Sequence, residues 1–272
     1  MRTNTNYAER SNMAKVFLQE QVARQPKPER LAWIDWLILF LLVVAATGVI
    51  WTTSHQIPVG LRARHSENVW FESDVSRVYF NMMDRKSNQY RSKVHPVFSL
   101  LAMAVTRTAH RVGHLSLNDS ADAFLALTAG VWVLLMYVVS RKLGFDRVLS
   151  VLAAIAGVVS AAGLLFFSVP ETYSLASVSI LLCLWITLHV REGHWPQFGE
   201  TLVSASALAI TVTNWSLGLV VTYPRRRDWK RWLQLSCNAF LLITMLWSVQ
   251  KALMPTSEYF SISTEERHYV NK

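Results

Sequence analysis

Hydrophobic positions in this chain come in long, nearly unbroken runs, neither the two-residue alternation of a half-buried strand nor the narrow stripe of a soluble amphipathic helix. The runs cover residues 33–53, 121–140, 148–168, 172–190, 201–223 and 232–253. Each is close to the roughly 20 apolar residues that a helix needs to cross a hydrocarbon core of about 30 Å. A shorter run follows Pro96 and stays free of charge only from 96 to 106, before Arg107, His110 and Arg111. Counting it, about seven apolar segments predict an all-α, polytopic transmembrane helical bundle, because helices satisfy their own backbone groups in lipid. A membrane β-barrel would show short alternating segments, which these runs do not. The bundle is expected to be one domain over 33–253, with a loop over 54–120. A basic tail at 1–32 and a short polar tail at 254–272 flank it.

Charge then orients the segments. Arg2, Arg10, Lys15, Arg24, Lys27 and Arg30 outnumber the acids of the first tail, so the positive-inside rule puts the N-terminus in the cytoplasm. The part AKVFLQEQVARQ has the look of a short amphipathic helix lying on the membrane. Asp35, one residue from Trp36, is expected to snorkel to headgroups. If the segment after Pro96 crossed fully, the basic hairpin SRKLGFDR (140–147) would fall outside, against the charge rule. The segment is therefore expected to lie in the interface, which keeps the hairpin cytoplasmic and puts the turn VPET outside. The stretch 201–223 is interrupted by TVTNW and followed by YPRRRDWKR. Two half-helices meeting near Asn214 would keep those arginines inside; a plain span that violates the rule is the competing reading.

Composition narrows the classes. The chain is 52% hydrophobic with a net charge of +9, but its Lys and Arg border apolar segments, where they meet lipid headgroups, so no nucleic-acid partner is expected. Cys183 and Cys237 both lie in apolar runs and suggest neither a disulfide framework nor a Cys-based metal site. No cleavable leader is expected, since a long polar tail precedes a first run too long for a signal segment. Zinc-protease, Walker, dinucleotide and serine-hydrolase motifs do not occur.

Candidate chemistry gathers in residues 71–101, FESDVSRVYFNMMDRKSNQYRSKVHPVFSLL. Glu72 and Asp74 are followed by Tyr79, by Arg91 and Lys93, and by His95 before a helix-opening Pro96. Asp74 and Arg77 are spaced for an i, i+3 pair on an interfacial helix. Arg91 and Lys93 suit a lipid phosphate or pyrophosphate, or ordinary headgroups. His95 suits a phosphate, a metal or a helix cap. Glu171 follows Pro170 at a helix start, where it acts either as a cap or as a second carboxylate facing the same side as Asp74.

The order of these features resembles the conserved module of the GT-C membrane glycosyltransferases, which include protein mannosyltransferases and aminoarabinose transferases. The matching positions are ESD (72–74) after the first span, HPV (95–97) at a helix start, and the span–basic hairpin–span of 121–154. The acidic turn VPETYSLA (169–176) and the interrupted LAITVTNWSLGLVV (208–221) complete the match. The resemblance implies transfer of a sugar, with inversion, from a polyprenyl-phosphate donor to a glycan, lipid or protein acceptor at the outer face. It implies Asp74 as general base, with Glu171 assisting, in one form through a divalent metal ion; no cofactor is otherwise implied. Glu72, Arg91, Lys93, His95 and Asn214, the last standing where the family often has Lys, would bind substrate. The setting implied is a bacterial inner membrane. The alternative is a non-catalytic GT-C-like membrane protein that binds polyprenyl lipid or a partner subunit.

Overall fold

A computed structural model describes residues 31–63, 70, 74–191, 197–222 and 229–260. All regular elements among them are helical. The order is α1 (Trp33–Gln56), α2 (Val59–Arg62), α3 (Val75–Met83), a 3-10 turn (Tyr90–Lys93), α4 (Phe98–Val112) and α5 (Leu117–Lys142). Then follow α6 (Arg147–Val159), α7 (Ala161–Ser168), α8 (Thr172–Arg191), α9 (Gln197–Ile210), a 3-10 turn (Val212–Asn214), α10 (Trp215–Thr222) and α11 (Trp229–Leu253). Four helices, within α1, α5, α8 and α11, are long and apolar enough to cross a membrane, and α6 with α7 makes a fifth if the bent pair counts as one span. Helix α5 is the centre of the bundle: 67% of its apolar window is buried, against 22% for α1 and α11. The outer helices turn Trp36, Phe40, Leu41, Leu241 and Met245 outward, as hydrocarbon-facing surfaces do.

Buried charge fixes how α1 lies against α5. At one end, Asp122 accepts from Ser54 Oγ at 2.6 Å and from Arg62 Nη1 at 2.5 Å, and Arg62 also donates to the Ser54 carbonyl. Arg62 is 1% exposed and Asp122 2%, so each is the other's compensation. At the opposite end, Asp35 is 0% exposed. It accepts from the Tyr137 hydroxyl at 2.7 Å and from Arg147 Nε at 3.0 Å, with Arg141 Nε at 3.5 Å. Asp35 therefore does not snorkel to headgroups. Its other oxygen accepts from Ala32 N at 2.8 Å, closing the first turn of α1, and the carboxylate clamps that turn to the hairpin between α5 and α6.

This pairing settles the path of the chain relative to the bundle. Because the last turn of α1 and the first turns of α5 meet, residues 57–116 leave and return at the same end. Helix α4, 15 residues or about 22 Å long, lies across that end and does not traverse the bundle. It buries Phe98, Ala102, Met103 and Thr106, with the Thr106 hydroxyl on the Met82 carbonyl at 2.6 Å. Thr53 and Ser168 meet at 2.8 Å, which brings the end of α7 and the turn before α8 there too. Ser92 Oγ donates to the Glu258 carbonyl at 2.8 Å, so the segment after α11 joins them.

One expected span takes a different form, and one expected break is present. The run 148–168 is not one straight helix: α6 and α7 meet at an angle of 61°. Ser160 leaves helical geometry (φ −59°, ψ 152°) and caps α7 by accepting from Gly163 N at 3.0 Å. A side chain at position 163 would place its Cβ 2.1 Å from the Gly157 carbonyl oxygen, so the bend needs glycine there. The stretch 201–223 is broken, as the half-helix reading expects: α9 ends at Ile210 and α10 starts at Trp215. The two halves fold back on each other, with Trp215 Nε1 on Ser204 Oγ at 3.2 Å and Gly218 against the Ser204 Cα. The amphipathic reading of the N-terminal tail, the RRR cluster at 225–227 and the end of the C-terminal tail lie outside the described residues.

Replacing Arg62 by Met should leave Asp122 as an uncompensated buried charge and cost about 3–5 kcal/mol, read as a lower melting temperature in detergent. Adding Asp122→Asn to that variant should recover part of the loss, because the residual penalty is that of the stranded carboxylate.

Candidate functional site

The site is built where three distant segments meet at the loop end of the bundle. Asp74 stands at the N-cap position of α3 and pairs with Arg77 at 3.6 Å, the i, i+3 contact that its spacing predicts. Its second oxygen pairs with Arg91 from the 3-10 turn. The Arg91 side chain is 41% exposed and that of Asp74 21%, so the pair can be reached from outside. Behind them lies His95. Its Nδ1 faces the Ile210 carbonyl at 2.9 Å and its Nε2 faces the Thr172 hydroxyl at 3.2 Å. Both ring nitrogens are thus engaged inside the protein.

Glu171 comes from the turn between α7 and α8 and is 5% exposed. Its Oε1 accepts from Thr172 N at 3.0 Å and lies 3.1 Å from Thr172 Oγ1, which satisfies the start of α8 as the cap reading expects. Its Oε2 is buried without any hydrogen-bond partner. Capping therefore explains one oxygen and not the other. A buried polar atom left bare costs about 1–3 kcal/mol, and among the described residues nothing offsets that for Oε2.

The broken helix positions the far wall. Val97 N donates to the Ala209 carbonyl and Val212 N to the Val94 carbonyl, both at 2.9 Å, so the turn after α9 is stitched to the His95 segment. Asn214 closes that turn onto α8, donating at 2.9 Å to the Ala176 carbonyl and to Ser179 Oγ. Below it opens an apolar groove of about 350 Å³, lined among others by Val97, Leu175, Val178, Ala209, Ile243 and Leu246. Leu175 is one turn below Glu171 and Thr172, and Val97 is two residues beyond His95. The groove and the polar cluster thus draw on the same two chain segments.

Burial sets the charge states. Desolvation pushes the Glu171 carboxyl above its ordinary value of 4.5; the Thr172 hydrogen bonds pull it back, Asp74 adds to the rise and Arg91 opposes it. Desolvation lowers His95, with Arg91 acting the same way and the Ile210 hydrogen bond and Asp74 opposing. The same causes show that Asp74, Arg91, His95 and Glu171 lie within electrostatic reach of one another, although the sequence separates them by almost a hundred residues.

Of the residues expected at the site, then, the fold brings together Asp74, Arg91, His95 and Glu171. Lys93 instead stands over the Tyr90 ring, 3.7 Å from its centroid, and donates to the Tyr90 hydroxyl. Asn214 braces the broken helix. Glu72 lies outside the described residues. Sequence reasoning missed Thr172, whose signal was its place beside Glu171, and Arg62 and Asp122, whose signal was an acid within the first turns of an apolar run.

For a metal, Glu171 has no suitable company: among the described residues, the group of three ligand side chains is His55, Asp119 and Asp122. His55 Nδ1 lies 3.4 Å from Asp119 Oδ1 and 3.5 Å from Asp122 Oδ2. Arg62 already balances Asp122, and the exposed imidazole can balance Asp119 when protonated, so the cluster is accounted for as ion pairs.

The raised Glu171 pKa carries a stability signature. Below pH 4.5 the carboxyl is neutral in both folded and unfolded chains. As pH rises above that, the unfolded chain ionises first and binds fewer protons than the folded one, so folding loses stability until the folded-state pKa is passed. Wild type should therefore fall in melting temperature relative to Glu171→Gln as pH rises from 4.5, with the two converging at lower pH. The limiting slope is about 1.4 kcal/mol per pH unit.

Comparison with protein-family models, with curated proteins and with solved structures finds no match to this chain.

Proposed function

We propose that this chain is a membrane-embedded glycosyltransferase of the GT-C kind, which moves a sugar from a polyprenyl-phosphate donor to an acceptor hydroxyl at the outer face of a bacterial inner membrane. The observation that carries the reading is the meeting of Asp74, Arg91, His95 and Glu171, whose chain neighbours Val97 and Leu175 line an apolar groove. A donor of this class has the matching two parts. Its prenyl tail suits the groove, at about 0.8 kcal/mol per buried CH₂, and its phosphate suits the exposed Arg91 guanidinium. Arg77 and Arg91 set two cations against the one carboxylate of Asp74, and burial disfavours charge on Glu171 and His95, which suits an anionic headgroup.

The Asp74–Arg91 pair gives a way to couple binding to chemistry. A donor phosphate competes for Arg91, and the carboxylate it releases is free to accept from the acceptor hydroxyl. Asp74 then takes the proton of the acceptor hydroxyl as its oxygen attacks, the bond to the phosphate breaks, and the phosphate leaves with the bonding pair, inverting the carbon. Glu171 assists from the opposite wall, and no metal is needed in this scheme.

The alternative, a binder of polyprenyl lipid without transferase activity, draws on the same ion pair, since Asp74 is neutralised as it stands. Transfer from a labelled polyprenyl-phosphate sugar in membranes separates the two. Asp74→Asn should reduce transfer by about a hundredfold or more at normal protein level. Transfer that survives both Asp74→Asn and Glu171→Gln removes this site from the mechanism. Narrowing the groove with Val178→Trp should raise the donor KM about tenfold, with little change in kcat, since the lost binding is the same in ground and transition states.

A further inference from the structure

The contact between His95, Thr172 and Glu171 has an unusual proton count. The Thr172 hydroxyl carries one proton and stands between two groups, His95 Nε2 at 3.2 Å and Glu171 Oε1 at 3.1 Å. It can donate to only one of them. His95 Nδ1 faces a carbonyl, which cannot donate, so Nδ1 carries a proton. Two arrangements satisfy every atom of the contact except Glu171 Oε2. In the first, a neutral His95 accepts from Thr172 at Nε2, and Glu171, protonated on Oε1, donates to Thr172 Oγ1. In the second, an imidazolium donates from Nε2 to Thr172, and Thr172 donates to a Glu171 carboxylate. Both hold the same number of protons and differ only in where one of them sits.

We propose that His95, Thr172 and Glu171 form a proton relay that opens to the site at Glu171 Oε2 and ends at His95 Nε2. Oε2 is the one oxygen of the unit with no partner, on a side chain 95% buried, so it marks the place where a ligand group must supply the missing hydrogen bond. In the neutral arrangement Oε2 is the carbonyl-type oxygen and accepts, so that group is a hydroxyl. The relay deepens the transferase reading and rests on it for the identity of that hydroxyl: it is a hydroxyl of the transferred sugar, since the acceptor's own proton goes to Asp74. The proton-sharing itself does not depend on that reading.

The step balances. The hydroxyl gives its proton to Oε2, Oε1 gives its own to Thr172 Oγ1, and Thr172 gives its own to Nε2. Glu171 begins and ends neutral with its proton on the other oxygen, while His95 ends as an imidazolium hydrogen-bonded to the Ile210 carbonyl and to Thr172. Asp74 meanwhile takes the acceptor's own proton as that oxygen attacks the anomeric carbon, and the phosphate leaves with the bonding pair. When product departs, the imidazolium returns its proton along the same path to the sugar oxygen. Burial favours the neutral resting arrangement at both ends, since it raises the Glu171 carboxyl and lowers the imidazole. The charged groups that face the unit are Asp74 and Arg91, from the turns before α3 and α4, and at each end they oppose one another, Asp74 raising both Glu171 and His95 and Arg91 lowering both. Thr172 is a positioning residue here, since it acts through its neighbours.

Infrared difference spectra of purified wild type, Glu171→Gln, Thr172→Val and Thr172→Ser at neutral pH test the relay without any substrate. The relay predicts a protonated-carboxyl band that is absent in Glu171→Gln, shifts in Thr172→Val and returns to place in Thr172→Ser, which keeps the hydroxyl and the fold. An ionised Glu171 at neutral pH, or a Glu171 band indifferent to Thr172→Val in a folded variant, overturns it. In the transfer assay, Thr172→Val should lose about a hundredfold in kcat and the pH limb set by His95, with Thr172→Ser retaining both. A Thr172→Val enzyme with wild-type rate and pH profile removes the relay from catalysis. If wild type transfers no sugar from any polyprenyl-phosphate donor, the transferase reading falls, and the infrared bands still decide the relay.

Discussion

A carboxylate inside an apolar bundle must find a cation or be protonated, and that requirement shapes this fold at both ends of its central helix pair. Removing an ion from water costs several kcal/mol even after relaxation, and only close pairing with further hydrogen bonds offsets it. Asp35 meets Arg147, Arg141 and Tyr137, and Asp122 meets Arg62 and Ser54. Each network joins α1 to α5 or its flanking turns, one at either end. Sliding or inverting one helix against the other would strand both acids at once. The antiparallel register of α1 and α5 is therefore held by charge as well as by packing around Ile50, Leu125 and Ala129.

From that register the site follows in steps. With both ends of residues 57–116 returned to one face, α3, the 3-10 turn and α4 have to pack over the loop end. The turn before α8 arrives there because Ser168 is tied to Thr53. The break after α9 arrives because its backbone pairs with the His95 segment, an arrangement open only to a chain that has stopped being helical. Irregular backbone at such depth is tolerable only when its polar groups are matched by other protein groups, and here two turns match each other. The cluster is a by-product of satisfying loops.

Its chemistry is a matter of dielectric. Asp74 and Glu171 are both carboxyls near one another, yet their surroundings differ. Asp74 stands in reach of water and two guanidinium groups, whereas Glu171 has only a hydroxyl, a backbone N–H and an imidazole. Burial acts on the second far more than on the first. Burial thus favours the neutral form of Glu171 while Asp74 sits in an ion pair, which is an ordinary way of dividing acid and base work within one site. The apolar groove lined by Val97, Leu175 and their neighbours gives a tailed ligand a place to lie.

Much of this architecture was legible in the chain. Run length alone marks the four long helices, and the short charge-free stretch after Pro96 predicts that α4 does not traverse the bundle, because those properties are local sums over neighbouring residues. Asp74, Arg91, His95 and Glu171 could be named as candidates, since charged or polar residues between apolar runs are few enough to notice. Other features depend on contacts that no local pattern encodes. The bend at Ser160 arises from the close approach of Gly163 to the Gly157 carbonyl, and a serine with small neighbours reads as ordinary helix in a membrane run. Asp35 looked like a residue bound for headgroups, and only the return of the α5–α6 hairpin shows which arginines bury it. Hydrophobic run length determined that this is a helical bundle and where its helices lie. Tertiary structure alone decided which oxygen of Glu171 is left bare and which hydroxyl joins it to His95, because a hydrogen bond is set by tenths of an ångström between residues that the sequence keeps far apart.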